Sequence, residues 1–479
     1  MNQEIQRRTF IRTSAAAAVA GMTGCATGGA GGANTLALLG GTPVIAKDKQ
    51  KDELDMFQWP RVNDAMRQAS DRVLVGCKMS ASDVSMEFEE KFAKWQGTKY
   101  ALSFPNGTNS LNAAMYAIGL GAGDEMICTS MTYWASCIGA LNLRASVVFC
   151  DIREDMEMDP ASVEAHITPR TKAIMVVHYK SHPCDMDAIM AIAKKHHLRV
   201  IEDCSHAQGG LYKGKKLGTF GDVAGMSLMT FKSFSIGEGG MMVTDDYEIY
   251  RRAIRFGPYE RIYKHWKPEE LAGTFNVPFG AMKNRLNQCA AAIGLEQLKK
   301  YDREIAEIHQ CKEYFYKGIA DVKGISKIYP KWENSNKAGW YSSVSHFDSS
   351  AFCGISAQTF VAALKAETGT CCGYQFSMGC DFPLHASSAF YTSDIYHTGR
   401  PTNVETLPPG IDMKKLVGEL PVASTIRNRI FCEPWFKKYR PEQIDRYVEA
   451  VHKVAANAAK LADWEKRQKK ALTESASVA

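Results

Sequence analysis

Three short stretches of this sequence carry residue types that could do chemistry together. The first is Phe104–Ser110, where a predicted strand gives way to a predicted helix through Asn106, Gly107 and Thr108. Free amides at a helix start, the helix dipole and a threonine hydroxyl together suit a phosphate group. The same letters are typical of a plain Asn-Gly turn followed by a Ser or Thr helix cap. On its own, this stretch leaves both interpretations open.

The second and third stretches offer a carboxylate and an amine. Asp203 ends the apolar strand Arg199–Asp203, where a carboxylate can keep a heterocyclic nitrogen protonated or can simply cap a helix. Lys232 ends Ser227–Lys232 and precedes the glycine-rich turn Gly237–Gly240. Its amine could form a desolvated imine or could be an ordinary solvated lysine. Phosphate turn, aspartate and lysine follow one another in the order found in fold-type I enzymes that use pyridoxal phosphate (PLP), which favours a PLP site over three unrelated features.

An alternation of strands and helices must position these residues. The predicted strands are Tyr100–Phe104, Glu125–Thr129, Ser146–Asp151, Ala173–His178, Arg199–Asp203, Val223–Leu228 and Gly240–Thr244. The predicted helices are Glu87–Trp95, Ser110–Gly119 and Asp185–His196. This alternation predicts an α/β fold with a mostly parallel central sheet. Ligands of such sheets bind beyond the carboxyl ends of the strands, which is where Asp203 lies.

The pattern along the chain predicts two folded domains between an address segment and a tail. Residues 1–33 are the address segment, and residues 34–300 form a large cofactor-binding domain. Long helices around residues 285–320 mark the change to a smaller α+β domain at 301–465. Its last helix is predicted from Pro441 to Val454, and residues 466–479 are a Lys/Ser/Ala-rich tail that we expect to fray.

Composition excludes several classes of function. The 58 basic residues are interleaved with 52 acidic ones, and no basic stripe with aromatics argues for nucleic-acid binding. The apolar runs after the N-terminus fall short of the ~20 residues that cross a bilayer. The 14 cysteines show neither CxxC pairs nor metal-type Cys/His spacing, so no metal site is predicted. Buried cysteines such as Cys128 and Cys150 are expected to be packed free thiols.

The first 33 residues resemble an export signal. Arg7 and Arg8, followed by Thr9-Phe10-Ile11-Arg12, resemble the twin-arginine signature of bacterial export. An Ala-rich apolar stretch and a Gly/Ala-rich flank follow, as in secretory signals. A chance Arg-Arg pair before an Ala-rich helix is the alternative. Met22–Cys25 loosely resembles a lipobox, which makes Cys25 a candidate lipid anchor. We therefore expect a periplasmic protein, or a lipoprotein on the outer face of the membrane.

The mature chain resembles the DegT/DnrJ/EryC1/StrS family of PLP-dependent aminotransferases over nearly its whole length. The likeness begins at Leu38–Pro43 and extends to the helix at Pro441–Val454. The motifs that carry it are FEEKFAKWQGTKYALSFPNGTNSL, GAGDEM, ITPRTKAI, DMDAIMAIAKKH, VIEDCSHAQGG, Ser227–Lys232 with IGEGGMMVT, and RLNQCAAAIGLEQL. Each is weak alone, but the ordered set is specific. The resemblance implies a fold-type I transferase that works as a homodimer, with active sites at the subunit interface.

The resemblance also implies residue roles. The implied cofactor-binding set is Gly107, Thr108, Tyr133, Asp203, His206, Ser227 and Lys232. Lys232 would hold PLP as a Schiff base and then move protons, Asp203 would pair with the pyridinium nitrogen, and Gly107, Thr108 and Ser227 would contact the phosphate. Tyr133 would stack on the ring, with Trp134 as its rival or as a core residue. His206 would lie near the phenolic oxygen, unless it is an ordinary strand-end histidine.

The implied reaction transfers an amino group from glutamate or glutamine to a nucleotide-linked keto-sugar or to a keto-cyclitol. Two other functions stay open. A sugar dehydratase of the same family is one, although such relatives replace the lysine with histidine. A non-catalytic exported binding or sensing protein is the other, because the substrates of sugar-nucleotide chemistry are cytoplasmic and fold alone does not establish function.

The sequence departs from the family pattern mainly on the acceptor side. Lys283 replaces an asparagine of the partner-subunit loop, Asn284 is displaced by one position, and Arg285 keeps its place. The family's VHLYGxP is Val177–Pro183 here and loses its glycine, and Met229 stands where some relatives have histidine. His385, in Pro383-Leu384-His385, resembles a substrate loop. We therefore expect Arg285 and His385 to be substrate residues, and the substrate is less well defined than the cofactor.

Overall fold

A computed structural model describes residues 34–272, 282–369, 375–378 and 382–476. The predicted export signal and Cys25 lie outside these ranges. Of the helices within them, none combines the length and the apolar character needed to cross a membrane.

The larger domain is built on a seven-stranded sheet. In chain order the first nine strands are β1 (Tyr100–Phe104), β2 (Glu125–Thr129), β3 (Ser146–Cys150), β4 (Thr171–Val177), β5 (Arg199–Asp203), β6 (Leu211–Tyr212), β7 (Lys215–Lys216), β8 (Val223–Ser227) and β9 (Gly240–Thr244). Strands β6 and β7 form a separate hairpin, and the other seven are ordered β1-β9-β8-β5-β4-β2-β3. Strands β8, β5, β4, β2 and β3 are parallel, whereas β9 is antiparallel to both of its neighbours. The predicted α/β fold with a mostly parallel sheet is confirmed.

Helices cover the sheet on both faces and continue into the second domain. Those of eight residues or more are α1 (Asp64–Val75), α2 (Asp83–Gln96), α3 (Gly107–Ala117), α4 (Ala135–Asn142), α5 (Met186–His196), α6 (Tyr247–Phe256), α7 (Gln288–Leu298), α8 (Tyr301–Gly318), α9 (Ala357–Thr368), α10 (Pro441–Ala456) and α11 (Ala458–Ala476). Asparagine and aspartate caps fix several starts, since Asn106 accepts from the Asn109 amide and Asp185 from the Ala188 amide. The strands β2 and β3 are buried at every position, as expected of parallel strands covered on both faces.

The strand register brings the predicted chemistry to one edge of the sheet. Val177 at the end of β4 pairs with Asp203 at the end of β5, and Asp203 pairs with Gly225 of β8. Ser227, two residues further along β8, pairs with Gly240 of β9. The carboxyl ends of three parallel strands therefore lie side by side, and whatever follows them faces one region of space.

The smaller domain contains a four-stranded antiparallel sheet. Its strands are β10 (Ile325–Lys327), β11 (Val344–Phe347), β12 (Ser377–Met378) and β13 (Ile430–Cys432), in the order β10-β11-β13-β12. Packing crosses the division predicted near residue 300. Leu36, Met56 and Phe57 are buried in the smaller domain's core, and residues around Phe390–Ile430 pack on the larger one.

Within the predicted tail, the structure describes residues 466–476 as the continuation of helix α11. Helix α11 continues to Ala476, with Leu461 buried and Glu465 accepting a hydrogen bond from the Ser356 amide. Beyond that anchor, the Lys470–Glu474 pair follows helical i,i+4 spacing and supports the exposed turns. Helix-forming residues and one buried anchor therefore extend a segment whose composition alone suggested a loose tail.

Candidate active site

A cavity of about 360 Å³ opens at the carboxyl ends of β4, β5 and β8. The seven residues of the implied cofactor-binding set all line it, namely Gly107, Thr108, Tyr133, Asp203, His206, Ser227 and Lys232. Residues from the second domain, Tyr341 and Ser342, close the other side. Residues far apart in the chain therefore converge on one space that both domains enclose.

One corner of the cavity suits a phosphate. Helix α3 begins at Gly107, so the amides of its first turn have no carbonyl one turn earlier and point toward the helix start. A Cβ atom on Gly107 would lie 2.5 Å from Ser227 Cβ, which explains why glycine is needed where the helix start meets β8. The Ser227 amide donates to Ser205 Oγ at 3.0 Å, so this hydroxyl fixes the end of β8. The start of helix α3, Thr108 and Ser227 thus line the same part of the cavity.

Asp203 presents a buried carboxylate to the middle of the cavity. Its Oδ2 accepts from the Ser136 hydroxyl at 2.7 Å, and its Oδ1 accepts from the Ser205 amide at 2.9 Å. Only 5% of Asp203 is exposed. The two hydrogen bonds orient the carboxylate, which could then partner a protonated ring nitrogen.

Lys232 faces Asp203 from the loop after β8. Burial lowers the pKa of Lys232 to about 8, although the Asp203 carboxylate opposes this shift, and the Lys180 ammonium adds to it. The Nζ atom lies 4.4 Å from the centre of the Tyr341 ring. The Lys232 carbonyl accepts from the Trp59 indole at 2.8 Å, which ties the lysine backbone to the N-terminal segment. An amine with this pKa is partly neutral near pH 8 and is a competent nucleophile.

His206 is held neutral and in one orientation. Burial, with the nearby ammonium groups of Lys232 and Lys180, holds the pKa of His206 well below its usual range. The Lys180 amide donates to His206 Nδ1 at 3.3 Å, so the remaining proton is assigned to Nε2. The rings of Tyr179 and Tyr341 lie on either side, with centroids 5.3 and 4.5 Å away. His206 can therefore donate from Nε2.

Tyr133 lines the cavity with an open ring face. Tyr133 is 55% exposed, and the centre of its ring lies 4.8 Å from the centre of the Trp134 ring. Trp134 is 44% exposed, so it is not a core residue. It is absent from the residues that line the cavity. Of the two aromatics, Tyr133 is the one placed to cover a bound ring.

Gln208, Ser136 and Tyr341 are positioning residues that the sequence pattern did not single out. Gln208 Nε2 donates to the carbonyls of Ser227 at 2.5 Å and Ser205 at 3.0 Å, while its Oε1 accepts from a serine hydroxyl in the loop after Lys232. Gln208 thereby links the residues that follow β5, the end of β8 and the loop that carries Lys232. The motif VIEDCSHAQGG contained this glutamine, and its position five residues after Asp203 was the available signal.

Arg285 and His385, the two expected substrate residues, are not among the residues that line this cavity. Arg285 Nη1 lies 3.5 Å from Glu260 Oε1. His385 Nε2 is 3.2 Å from Ser424 Oγ. Their implied roles stay predictions, and for Arg285 the implied role concerns the partner subunit's site.

Two clusters of largely buried side chains contain residue types that can bind a metal ion, but their side chains form hydrogen bonds and ion pairs within the protein. His178, Glu202 and Cys204 form one group, and Asp155, Glu157 and His182 form the other. In the first, His178 Nε2 lies 3.0 Å from Glu202 Oε2, while Glu202 also accepts from three loop amides. In the second, Arg153 pairs with Glu157 at 3.1 Å. These contacts account for both groups as structural networks.

The sheet, the phosphate corner and the facing aspartate and lysine define a PLP-dependent aminotransferase of fold-type I. The sequence model of the DegT/DnrJ/EryC1/StrS aminotransferase family matches residues 61–408, and the chain belongs to this family.

Individual relatives agree with this assignment. The chain is 30% identical over 438 residues to a Micromonospora echinospora protein assigned as an L-glutamine:3-amino-2,3-dideoxy-scyllo-inosose aminotransferase, covering 88% of this chain and 97% of that protein. It is 38% identical over 250 residues to GDP-perosamine synthase of Escherichia coli O157:H7, covering 52% and 66%. Among solved structures, the Psychrobacter cryohalolentis aminotransferase has a TM-score of 0.69 at 27% identity, covering 84% and 99%.

Proposed function

We propose that this enzyme transfers an amino group from glutamate or glutamine to the keto group of a nucleotide-linked sugar or a cyclitol. The observation that carries the proposal is the convergence of Asp203, Lys232 and the Gly107–Ser227 corner on one cavity. The names of the relatives support the acceptor class, since they include a cyclitol aminotransferase and a GDP-perosamine synthase.

The residues present fit PLP. The lack of a side chain on Gly107 lets the start of helix α3 approach Ser227, where its amides could hold a phosphate. Asp203 is a buried carboxylate for the ring nitrogen, and Tyr133 lines the cavity with an exposed ring. Lys232 would hold the cofactor covalently, and His206 would donate from Nε2 to the phenolic oxygen. When bound, PLP supplies an electron sink for breaking and making bonds at the substrate carbon that carries nitrogen.

Lys232 has two tasks that its surroundings allow. As a neutral amine it is a nucleophile, and as an ammonium it is an acid that can return a proton to the reacting carbon. Because burial lowers its pKa to about 8, both forms are populated near neutral pH. The Asp203 carboxylate keeps the ammonium form accessible, since it opposes the effect of burial. The Tyr341 ring lies 4.4 Å from the amine and covers one side of it.

The sugar dehydratase is the weaker candidate because Lys232 is present. Relatives with dehydratase activity replace this lysine with histidine, and a histidine could not hold PLP covalently. Here the lysine side chain lies in the cavity with Asp203 near enough to influence its pKa. This arrangement favours reversible amino transfer.

The test is spectroscopic and uses the mature chain. PLP added to the purified protein should give a visible band, and borohydride should fix the cofactor onto the peptide that contains Lys232. Glutamate or glutamine should then bleach the band of the unreduced enzyme, and a keto acceptor should restore it. Lys232→Ala is the matched control. Absence of the band in the wild type would contradict the enzyme function and favour a binding protein. A band that no amino donor shifts would favour the dehydratase or a sensing protein.

We further propose that the protein is exported by the twin-arginine route as a homodimer with PLP installed before export. The support for export is the Arg7-Arg8 signature, and Cys25 is the candidate lipid anchor. Replacing both arginines with lysine should retain the protein in the cytoplasm, and Cys25→Ala should release it from membranes if it is lipidated. Analytical ultracentrifugation tests the dimer.

A further inference from the structure

A second lysine, Lys180, enters the same cavity from the loop after β4. It is 8% exposed and lines the cavity beside Tyr179 and His206. Its Nζ atom donates to Ser342 Oγ at 2.9 Å and lies 5.2 Å from the centre of the Tyr179 ring. Among the described lining residues, Lys180 and Lys232 are the lysines, and no arginine joins them. Lys180 therefore adds a buried positive charge that the implied PLP-binding set does not include.

The backbone at Lys180 and Ser181 is strained, because both residues carry side chains yet have positive φ angles. Lys180 has φ of 54° and Ser181 has φ of 62°, both in the left-handed region that favours glycine. Ser181 stands where the family motif has its glycine. Across the cavity, Ser342 also has a positive φ of 52°. Strain of this kind persists where the surrounding structure demands particular side chains, and it concentrates at ligand-binding sites.

The strained residues hold the lysine and its neighbours in place. Ser181 Oγ donates to the His206 carbonyl at 2.6 Å and to the Tyr341 carbonyl at 3.3 Å. The Lys180 amide meanwhile donates to His206 Nδ1. The Lys180 ammonium thus lies between the two domains, a short distance from the groups that surround Lys232. Its charge reaches Lys232, because it contributes to the lowered pKa of that amine.

We propose that Lys180 binds the α-carboxylate of the amino donor. This inference rests on the proposed function, because it assigns the donor subsite of the same cavity. The α-carboxylate of an amino acid is attached directly to the carbon that must reach Lys232, so its recognition group must lie beside that lysine. Phosphate groups of a nucleotide-linked acceptor are many bonds from the keto carbon and do not fit this position. A carboxylate can replace the Ser342 hydroxyl as the partner of the ammonium at little cost, because a charge-assisted hydrogen bond is stronger than a neutral one.

The proposal is tested by Lys180→Met in the PLP-loaded enzyme, with Lys180→Arg and Ser342→Ala as controls. Calorimetric titration with glutarate, an unreactive dicarboxylate, measures binding without turnover. Stopped-flow bleaching by glutamate, and its reversal by 2-oxoglutarate, measure the donor half-reaction. Loss of a charged hydrogen bond should raise the glutarate dissociation constant and the half-saturating glutamate concentration roughly tenfold or more in Lys180→Met. Lys180→Arg and Ser342→Ala keep the charge and should stay within about threefold of wild type.

Three outcomes separate the possibilities. If Lys180→Met lowers the melting temperature but leaves glutarate and glutamate saturation unchanged, the lysine is a clasp between domains and the proposal is wrong. If only reaction with the keto acceptor is impaired, the ligand is an acceptor anion and the donor assignment is overturned. If the wild type forms no visible band, or no donor bleaches it, the proposed function fails. If the wild type reacts as expected and Lys180→Met saturates with glutarate and glutamate like the wild type, the inference about Lys180 is wrong and the proposed function stands.

Discussion

The hydroxyl of Ser136 donates a 2.7 Å hydrogen bond to Asp203 Oδ2, and this bond links helix α4 to the end of β5. Ser136 is fully buried. Its hydroxyl also lies 2.7 Å from the Thr132 hydroxyl, so a short polar chain extends from the loop before α4 to the carboxylate. The orientation of Asp203 therefore depends on helix α4, although none of the implied cofactor-binding residues lies in that helix.

Ser136→Ala should weaken PLP binding because Asp203 loses one of the two hydrogen bonds that orient it. A hydrogen bond to a charged group contributes roughly 1.5–3 kcal/mol, so the PLP dissociation constant should rise about tenfold or more. Titration of the visible band measures this. Ser146→Ala is the control, since Ser146 is also buried but its hydroxyl has no hydrogen-bond partner among the described residues. Equal effects in both variants would show that the Asp203 contact is not the cause.

Gly107→Ala should impair the phosphate corner. The new Cβ would lie 2.5 Å from Ser227 Cβ and 2.7 Å from Ser227 Cα, so helix α3 and β8 must separate where the cofactor phosphate is expected. We expect PLP affinity to fall by an order of magnitude or more while the sheet stays folded. Gly121→Ala is the control, because a Cβ there meets no atom within 4 Å. Circular dichroism and band titration together distinguish a local from a global effect.

The rate of PLP capture by the cofactor-free protein should rise with pH through about 8. The neutral amine of Lys232 is the nucleophile, and burial lowers its pKa to about 8, so deprotonation activates the site. Stopped-flow growth of the visible band across pH 6.5–9.5 gives the midpoint (about two units below that of a free lysine). Lys180→Met removes a like charge and should shift the midpoint upward. A midpoint near 10.5 in the wild type would contradict the buried environment.

Glu433→Gln should destabilise the smaller domain. Burial raises the pKa of this carboxyl, but the Lys312 ammonium at 2.9 Å and the hydroxyls of Tyr316, Ser343 and Ser345 outweigh it and bring the pKa to about 2. Removing the charge leaves Lys312 buried without a counter-charge, at a cost of roughly 3–5 kcal/mol in the free energy of unfolding. Urea denaturation measures this, with the exposed Glu419→Gln as control.

The same carboxyl sets a direction for acid sensitivity. Its pKa is about 2 in the folded state and near 4.5 in the unfolded chain, so its contribution is fully present above pH 4.5 and is lost as the pH falls toward 2. The melting temperature of the wild type should therefore drop across this window. Glu433→Gln should show a smaller drop over the same window, and an unchanged slope would exclude this residue as the origin.

Much of the larger domain could be predicted from the sequence because its strands are short apolar runs bounded by turn residues. Glu125–Thr129, Arg199–Asp203 and Gly240–Thr244 were predicted with the bounds found in the structure. The helix after the phosphate turn begins at Gly107 rather than Ser110, because the Asn106 side chain caps it earlier than the Ser or Thr expected from the letters. The pattern of apolar residues predicts that such strands and helices exist, but it does not predict which polar side chain caps a helix.

The cavity's far wall could not be predicted. Tyr341 and Ser342 come from the smaller domain, and their approach depends on left-handed residues that carry side chains, for which the sequence gives no turn signal. In the sequence, Lys180 is only one residue of the Val177–Pro183 motif that lacks the family's glycine. Its position beside Lys232 follows from the tertiary fold. Local sequence spacing does not predict charges that only the tertiary fold brings together.

The smaller domain's core joins Leu36, near the start of the described chain, to Leu461, near its end. Trp59, in the same N-terminal segment, also holds the Lys232 carbonyl. During synthesis on the ribosome, this core therefore stays open until the last helices have emerged. A chain that ends before helix α10 should leave Phe57 without its contact to Tyr447 and expose the Leu36–Trp59 segment to proteases, even though every implied cofactor-binding residue has already been translated.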